Sequence, residues 1–503
     1  MRILLLYPNM PYEIIGWGDL GAIAEPIALE YIGAAAREEG HLVDILDLRL
    51  HAERLELMLY MHRPDVVGIT GYSMHVLRNL ELCSIVRKIV PKCKTVIGGH
   101  HATLCPEDYF ESQVDYVVVG EGVHPFTSIL RLIAGTRPPG SIPGVWQRVP
   151  EALSNIAFPQ PARMMGHGSG SVQGSRSRLG AEFEFGGPSS QFNIDDLPLP
   201  DRSLVEEDRS SYYIDWMRPI ALMRTSVGCP FRCSFCSLWK IMDGHYYKRD
   251  VERIVEELQT IQEPYVFLVD DEPFVNARRM YEVAEGIKRA GIKKEYHAYC
   301  RIDSFLRDRD LMQTWHRIGL RRVFFGVEAV LDHELHKYNK RQAKSQILAA
   351  LQAAREIGIK VFANFIIDPL YDEREFSQVV DFIKTNKVEY PSFTVLTPIP
   401  GTAALTSFDH ITSMQLNGRP NWQYFDLQHS VTKTTLPEDR FRKEYFNLFR
   451  AFSDQYISAS HPFYLEMQRR ANAQGVGHSP LSDSEFHKPL PPIPLSRRFP
   501  LPC

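Results

Sequence analysis

Three cysteines lie on one short stretch of the chain with the spacing C-x3-C-x2-C. They are Cys229, Cys233 and Cys236, and they follow directly on an apolar run. Three thiolates on one loop can hold three corners of a cubane [4Fe–4S] cluster, whereas full ligation takes four. The missing ligand leaves one iron open to a small chelating molecule. The alternative is a zinc site with Cys300 or His245 as fourth ligand, although zinc loops usually come as paired C-x2-C knuckles.

Length and composition limit the classes of protein that fit. A chain of 503 residues predicts two to four domains, and a net charge of −4 with mixed signs excludes a nucleic-acid-binding field. Eight unevenly spaced cysteines do not form a disulfide framework. A cluster loop needs a reducing compartment, so we expect a cytosolic protein without a signal peptide or membrane span.

The elements that position these cysteines alternate between short apolar runs and amphipathic stretches. For residues 1–140 this alternation predicts a doubly wound, parallel α/β sheet. We expect its strands at 3–7, 42–46, 66–70, 95–98 and 116–119, and its helices at 27–38, 53–61, 76–90 and 106–111. Ligands of such sheets bind at the carboxyl ends of the strands.

Glycines and polar residues gather at those carboxyl ends. Glycine lets the backbone approach a ligand closely, and by itself this pattern also fits a generic nucleotide-binding sheet. The three segments are Gly71-Tyr72-Ser73-Met74-His75, Gly98-Gly99-His100-His101-Ala102-Thr103 and Gly120-Glu121-Gly122.

A second domain is expected at 216–430, after a linker at 141–215 that includes a flexible Gly/Ser-rich insertion at 163–190. Six strand candidates, each followed by a helical segment, predict a partial (β/α)6 barrel with its functional residues at the strand carboxyl ends. Helices are expected to cap it at 431–478, followed by a disordered, proline-rich tail at 479–503. The strand candidates are 220–226, 265–269, 295–299, 323–326, 360–367 and 392–396.

Charged residues follow the barrel strands in order. The acids Asp270, Asp271 and Glu272 come after the second strand, Arg301 after the third and Glu328 after the fourth. Carboxylates can pair with an ammonium group, and arginine can pair with a carboxylate.

The cysteine loop, with Phe235 just before its third cysteine, resembles that of the radical S-adenosylmethionine (SAM) superfamily. That resemblance implies that SAM occupies the open iron and is cleaved by one electron to a 5′-deoxyadenosyl radical. It also implies that Asp271 or Glu272 receives the SAM ammonium, Arg301 the carboxylate and Glu328 the ribose hydroxyls. Tyr338-Asn339-Lys340 matches a common element of the same family.

The first domain resembles the cobalamin-binding domain that precedes many radical SAM enzymes. The resemblance implies that Tyr72 and Ser73 lie near the lower face of cobalamin, and that its tail and corrin edge are lined by Gly98, Gly99, His101, Thr103, Gly120 and Glu121. The D-x-H-x-x-G signature of cobalt-ligating domains is absent. We therefore expect no histidine on cobalt, with His75 as the alternative ligand.

Together the two resemblances indicate a cobalamin-dependent (class B) radical SAM C-methyltransferase that uses methylcobalamin to methylate an unactivated carbon. Residues 393–402 and 421–431 are most similar to hopanoid C-3 methylases, which methylate ring A of a polycyclic lipid. The aromatic run 422–425 is expected either to line the substrate pocket or to pack in the core. The family also implies a reducing partner such as ferredoxin or flavodoxin, and a lipid substrate implies loose peripheral contact with a membrane.

Two other functions are consistent with parts of the sequence. Asp271-Glu272-Pro273 is also similar to a motif of radical SAM oxidative cyclases that act on tetrapyrroles. A non-enzymatic cobalamin-binding sensor with a structural metal is the other alternative, but it gives no reason for acids at the ends of barrel strands.

Overall fold

The computed structural model describes residues 1–10, 22–149, 183–189, 193–214 and 216–452. Most of the insertion predicted at 163–190 lies outside the described residues, and so does the whole tail predicted at 479–503. Within the described ranges, no helix combines the length and the apolar composition that a bilayer crossing requires.

A seven-stranded sheet forms the core of the first domain. In chain order the strands of this region are β1 (Arg2–Tyr7), β2 (Ala22–Ile23), β3 (Leu42–Asp47), β4 (Val66–Ile69), β5 (Lys94–Ile97), β6 (Tyr116–Val118), β7 (Val145–Arg148) and β8 (Phe183–Phe185). All but β2 share one sheet, in the order β3-β1-β4-β5-β6-β7-β8. The strands from β3 to β6 pair in parallel, as predicted, and are almost continuously apolar because helices cover both faces.

The sheet continues past residue 140, where the sequence predicted a linker. Strands β7 and β8 add to its edge in antiparallel fashion, so the sheet is mixed rather than wholly parallel. Two stacked aromatic pairs hold this edge, Trp146 on Phe185 at 4.9 Å and Phe110 on Phe183 at 4.5 Å between ring centroids. Strands this short carry too few alternating residues to be recognised from periodicity.

The helices of the first domain begin and end close to the predicted positions. Helix α1 coincides with the prediction at 27–38, and Gly40, with φ of 81°, follows its end. The segment at 106–111 forms only a 3₁₀ turn, Pro106–Tyr109. The helices are α1 (Ile27–Glu38), α2 (Leu48–His51), α3 (Leu55–His62), α4 (Val76–Ile89), α5 (His100–Leu104) and α6 (Val123–Ile133).

Six parallel strands form the predicted partial barrel. They pair in the order β10-β13-β14-β15-β16-β17, so neighbours in space follow one another along the chain. Short strands β9 (Tyr213–Ile214), β11 (Ser226–Val227) and β12 (Tyr247–Lys248) lie outside this sheet. The barrel strands are β10 (Ile220–Met223), β13 (Tyr265–Leu268), β14 (Glu295–Cys300), β15 (Leu320–Glu328), β16 (Lys360–Ile367) and β17 (Tyr390–Val395).

Helices between these strands cover one face of the barrel sheet. Their apolar sides join a large buried core that includes Trp315, Leu351 and Phe376. These helices are α7 (Leu238–Ile241), α8 (Val251–Thr260), α9 (Ala277–Arg289), α10 (Ile302–Arg307), α11 (Arg309–Arg317), α12 (Asp332–Lys337), α13 (Lys344–Ile357) and α14 (Glu373–Thr385), and α15 (Glu438–Arg450) follows the last strand.

Buried ion pairs join the first domain to the barrel through the connecting segment. Arg202 donates to Leu222 O and to Glu257 Oε1 of the barrel, both at 2.7 Å. Arg209 pairs at 2.8 Å with Glu25 of the first domain, whose other carboxylate oxygen accepts from Leu222 N at 2.5 Å. Breaking a buried pair leaves an uncompensated charge, so this network holds the two domains in one orientation.

After β17 the chain first packs against the first domain and then returns to the barrel. Ile411, Trp422, Phe425 and Val431 pack into the core beneath the first sheet. Helix α15 then lies back on the barrel, where Tyr445 Oη donates to Phe393 O at 2.9 Å. We call residues 403–431 the C-terminal strap.

Removing Arg202 is expected to destabilise the protein. Arg202→Ala leaves Glu257 and Glu25 buried without this partner, so the free energy of unfolding in urea should fall by about 3–5 kcal/mol. The matched control is Arg278→Ala, whose ion pair with Glu282 is largely exposed and should contribute less than about 1 kcal/mol. Equal losses for the two variants would contradict the proposed role of the buried network.

Candidate functional site

The loop that carries the three cysteines lies at the carboxyl end of the first barrel strand. Gly228 precedes it with φ of 89°, and a Cβ there would come within 2.1 Å of His245 O, so the turn requires glycine. Cys229, Cys233 and Cys236 are unbridged, and Cys233 is the most buried of them. We call residues 229–236 the cluster loop.

The segment after β15 braces the cluster loop through backbone and side-chain contacts. Ser234 N donates to Tyr338 O at 3.0 Å, and Asn339 Nδ2 donates to Arg232 O at 2.9 Å. The ring of Phe235 lies edge-on to Tyr338 at 5.6 Å, which accounts for the aromatic residue before the third cysteine. The predicted Tyr338-Asn339-Lys340 element therefore supports the loop from the opposite side.

The three cysteine sulfurs do not all lie within 4.8 Å of one another, so they are farther apart than a single zinc ion would hold them. In the described part of the chain, the three potential metal ligands that do lie within 4.8 Å of one another are His101, Cys105 and Asp108. Tetrahedral zinc with Zn–S of about 2.3 Å brings its sulfurs to roughly 3.8 Å from each other. A cubane binds its cysteines through different iron atoms and needs a wider triangle.

The alternative fourth ligands for zinc have other partners. Cys300 is buried with its Sγ toward Arg301 O at 3.4 Å, and His245 Nδ1 lies 3.1 Å from Met242 O. Burial raises the pKa of Cys229 to about 11 and that of Cys236 to about 12. Because only thiolates bind metal, loading of the cluster must release protons from the loop.

The three acids after β13 have different environments. Asp270 is buried and accepts from Thr225 N at 3.1 Å and from Thr225 Oγ1 at 2.7 Å, and also from Ser226 Oγ. Glu272 is buried and accepts from Arg301 N at 2.7 Å. Asp271 alone of the three keeps accessible surface, and partial burial raises its pKa to about 6. Of the two predicted acids, Asp271 is thus the one open to a ligand.

Arg301 and Glu328 are both held by neighbouring charges. Arg301 forms a two-point pair with Asp303, with both N···O distances at 2.8 Å. Glu328 has φ of 65° and accepts from Lys340 Nζ at 2.7 Å. Their predicted contacts with the SAM carboxylate and ribose remain predictions.

The glycine turns of the first domain are tied to one another at the strand carboxyl ends. Gly99 has φ of 103°, and a Cβ there would lie 2.6 Å from Gly71 O. Thr103 Oγ1 donates to Gly99 O at 2.9 Å and accepts from Gly120 N at 3.1 Å. Thr103 therefore shapes two of the turns predicted to line cobalamin. Gly98 directly follows the last residue of β5 and precedes Gly99.

Glu121 and Tyr72 complete this edge of the sheet. Glu121 accepts from Val123 N at 2.5 Å and from His124 N at 3.3 Å, which caps the first turn of α6. Tyr72 keeps 47% of its surface accessible, and its ring meets His100 edge-on at 4.8 Å. Burial lowers the pKa of His100 to about 4, so its imidazole is neutral.

His101 corrects one expectation for this edge, because its side chain points into the domain. It is 1% exposed, with Nδ1 at 2.9 Å from Ser73 Oγ and Nε2 at 2.9 Å from Asp108 Oδ2. Ser73 is therefore held by His101, and the His101 imidazole has no surface with which to line a cofactor. His100, which was not predicted to line cobalamin, keeps part of its surface accessible. The two adjacent histidines differ in which face of α5 they occupy.

His75 is not arranged as a cobalt ligand. Its ring is 2% exposed, and its Nδ1 accepts from Tyr72 N at 3.1 Å. Burial lowers the pKa of His75 to about 3, so it stays neutral. In this structure His75 is a hydrogen-bonding group of the fold.

The aromatic run 422–425 packs in the core, so the interpretation as a substrate wall does not hold for Trp422. Trp422 is 1% exposed and lies edge-on to His101 at 4.7 Å. In the same strap, Arg419 Nε lies 3.3 Å from Asp108 Oδ1. His101, Cys105 and Asp108 lie close enough together to hold a metal ion, but Asp108 already bonds to His101 and pairs with Arg419.

Comparison with known families matches both halves of the chain. Residues 223–383 match the radical SAM superfamily, and residues 15–130 match the B12 binding domain. Hopanoid C-3 methylase of Methylococcus capsulatus is 32% identical over 84% of this chain and 75% of its own length. The anaerobic magnesium-protoporphyrin IX monomethyl ester cyclase of Rubrivivax gelatinosus is 24% identical over 73% of this chain and 62% of its own length.

Two solved structures share the fold at low sequence identity. TsrM from Kitasatospora setae, a radical SAM methyltransferase, has a TM-score of 0.61 with 16% identity over 91% of this chain and 90% of its own. OxsB with aqua-cobalamin and SAM bound has a TM-score of 0.58 with 15% identity over 94% of this chain and 61% of its own.

Removing any cluster-loop cysteine is expected to abolish SAM cleavage. Anaerobically reconstituted protein should hold about four iron and four sulfide, because three thiolates leave one iron open. Cys229→Ala, Cys233→Ala and Cys236→Ala should lose 5′-deoxyadenosine formation, whereas Cys300→Ala should keep its iron. Loss of the metal from Cys300→Ala alone, or cleavage by the triple variant, would contradict the cluster assignment.

Cobalamin is expected to bind without its own base and without a protein histidine on cobalt. The reason is that His75 and His101 are buried and already bonded. Electron paramagnetic resonance of the cob(II)alamin form should show no nitrogen superhyperfine splitting from an axial ligand. Splitting that disappears in His100→Ala would instead identify the accessible histidine as a ligand.

Proposed function

Because the chain belongs to the cobalamin-dependent radical SAM methyltransferases, we propose that it methylates an unactivated carbon of a polycyclic lipid, at C-3 in ring A of a hopanoid. The cofactors of this family supply a substrate radical and the methyl group when they are bound. The protein has to orient the substrate carbon between them and keep water away.

The observation that carries the substrate proposal is a row of aromatic rings on the inner face of the barrel. Tyr299 lies 5.2 Å from Phe324, and Phe324 stacks on Phe362 at 5.6 Å between centroids. Their chain neighbours Cys300, Val323 and Phe325 belong to the core under the outer helices. Since successive side chains of a strand face opposite sides, the aromatic row faces the barrel interior.

These rings offer flat apolar surface along the inner face of the barrel. Tyr299 is next to the last residue of β14, Phe324 lies midway along β15 and Phe362 is near the start of β16. Tyr299 and Phe324 keep part of their surface accessible. A polycyclic hydrocarbon makes few hydrogen bonds, so its binding depends on buried apolar area, at about 25 cal/mol per Å² before ordering costs. Arg322 comes two residues before Phe324 on the same face of β15. Its guanidinium lies 4.4 Å from the ring centroid of Phe362, so the charge is at the Phe362 end of the row.

The residues at the strand ends would hold SAM against the cluster loop. We assign the SAM ammonium to Asp271, the acid of the three with accessible surface. Glu328 is assigned to the ribose, because its bond to Lys340 leaves the second carboxylate oxygen for a diol. Tyr72 and His100 would contact cobalamin from the first domain.

A lipid substrate and a radical mechanism imply partners outside the chain. The enzyme needs an external one-electron reductant, for which we propose ferredoxin or flavodoxin. It would also meet its substrate at a membrane surface through peripheral contact.

Expression in a hopanoid-producing host is expected to yield lipids heavier by one methylene unit, with the new methyl on ring A. Phe324→Ala should lower this product severalfold while uncoupled SAM cleavage continues, because it removes a wall of the barrel interior and leaves the cluster loop intact. Lipid mass spectrometry and assay of 5′-deoxyadenosine measure the two effects.

The control is Tyr60→Ala at an exposed position of α3, which should leave both measurements unchanged. If the lipids stay unchanged while a tetrapyrrole or another metabolite gains the methyl group, the hopanoid proposal fails. The assignment to radical methyltransferases would survive that outcome.

A further inference from the structure

We propose that Arg301 is a positioning residue for Cys233 and raises the reduction potential of the cluster that this cysteine binds. The inference rests on the cluster assignment and is independent of the lipid substrate. It also differs from the predicted contact of Arg301 with the SAM carboxylate.

The guanidinium of Arg301 is almost fully committed to protein groups. Its Nη1 lies 3.7 Å from Cys233 Sγ, within hydrogen-bonding range of a sulfur acceptor. Nε and Nη2 bind the two oxygens of Asp303, and Nη2 also donates to Lys340 O at 3.0 Å. A guanidinium has five N–H donors, so one remains on Nη1 for a ligand.

Packing prevents the guanidinium from moving away from the sulfur. Arg301 is 8% exposed, and its Cζ lies 3.8 Å from the ring centroid of Phe231 inside the cluster loop. At the other end of the residue, Arg301 N donates to Glu272 at 2.7 Å. The side chain thus links the cluster loop to Lys340 of the bracing segment.

This arrangement favours the reduced form of a cluster bound there. Reduction adds negative charge to the cluster and its thiolates, and hydrogen bonds to those sulfurs stabilise it. The neighbouring Lys340 has its Nζ paired with Glu328 at 2.7 Å, whereas Arg301 directs an N–H to Cys233 Sγ. The carboxylate of Asp303 offsets part of the positive charge of Arg301, and its two hydrogen bonds keep the guanidinium in place.

Redox titration of the reconstituted protein in the absence of SAM tests the inference. Arg301→Gln should shift the midpoint potential to more negative values. At a fixed solution potential the ratio of reduced to oxidised cluster should fall roughly tenfold, which corresponds to about 59 mV for one electron. Asp303→Asn should shift it in the opposite direction, because it removes the opposing charge. Changes of opposite sign are not expected from a merely structural role.

Two further variants make the result decisive. Arg307→Gln removes a half-exposed arginine of the following helix and should leave the potential unchanged. Arg301→Met removes the charge and the N–H donors but keeps an unbranched side chain that can pack on Phe231, and it replaces Arg301→Gln if the latter fails to retain iron. If the potential is the same in wild type, in Asp303→Asn and in the Arg301 variant that holds iron, while only SAM affinity falls, the inference is wrong. That outcome would leave the lipid proposal untouched.

Discussion

Buried arginine–glutamate pairs between the two domains are the interaction on which the rest of the structure depends. The carboxyl ends of the parallel strands of the two sheets must face each other for Tyr72 and His100 to approach the cluster loop. Arg202 and Arg209 of the connecting segment impose this orientation, since their partners Glu25 and Glu257 come from different domains. Burial raises the pKa of Glu25, which shows that desolvation opposes its charge even beside two arginines. The pairs are costly to bury and therefore tolerate little rearrangement.

Most of the architecture could be predicted because its signals are local. Strand β16 and helix α1 occupy the predicted residues, since both are long and periodic and end at clear boundaries. The cluster loop was recognisable from three cysteines within eight residues, and the glycine turns from their positions after apolar strands. The mixed edge of the first sheet was missed because β8 is three residues long and its partner β7 is 35 residues away along the chain.

Side-chain roles were harder to predict, because they depend on contacts between residues far apart in sequence. Nothing in a run of two histidines indicates that His100 keeps accessible surface while His101 binds Asp108. The same limit applies to Asp270, Asp271 and Glu272, which are equivalent as a motif and separate only when Thr225 and Arg301 take up two of them. Trp422 was ambiguous for a related reason: an aromatic run fits a pocket and a core equally well until its neighbours are known.

The C-terminal strap connects these observations. Trp422 packs on His101, and Arg419 pairs with Asp108, so a segment that follows the last barrel strand holds the hydrogen bonds that fix Ser73 at the opposite domain. The strap and the connecting segment thus join the domains at two separate places, one with apolar and aromatic contacts and the other with buried charges. Two domains held in this way can present a fixed aromatic row and fixed strand-end groups to their ligands. Little conformational entropy then has to be lost when substrate binds, which matters most for an apolar substrate that has few hydrogen bonds to offer in return.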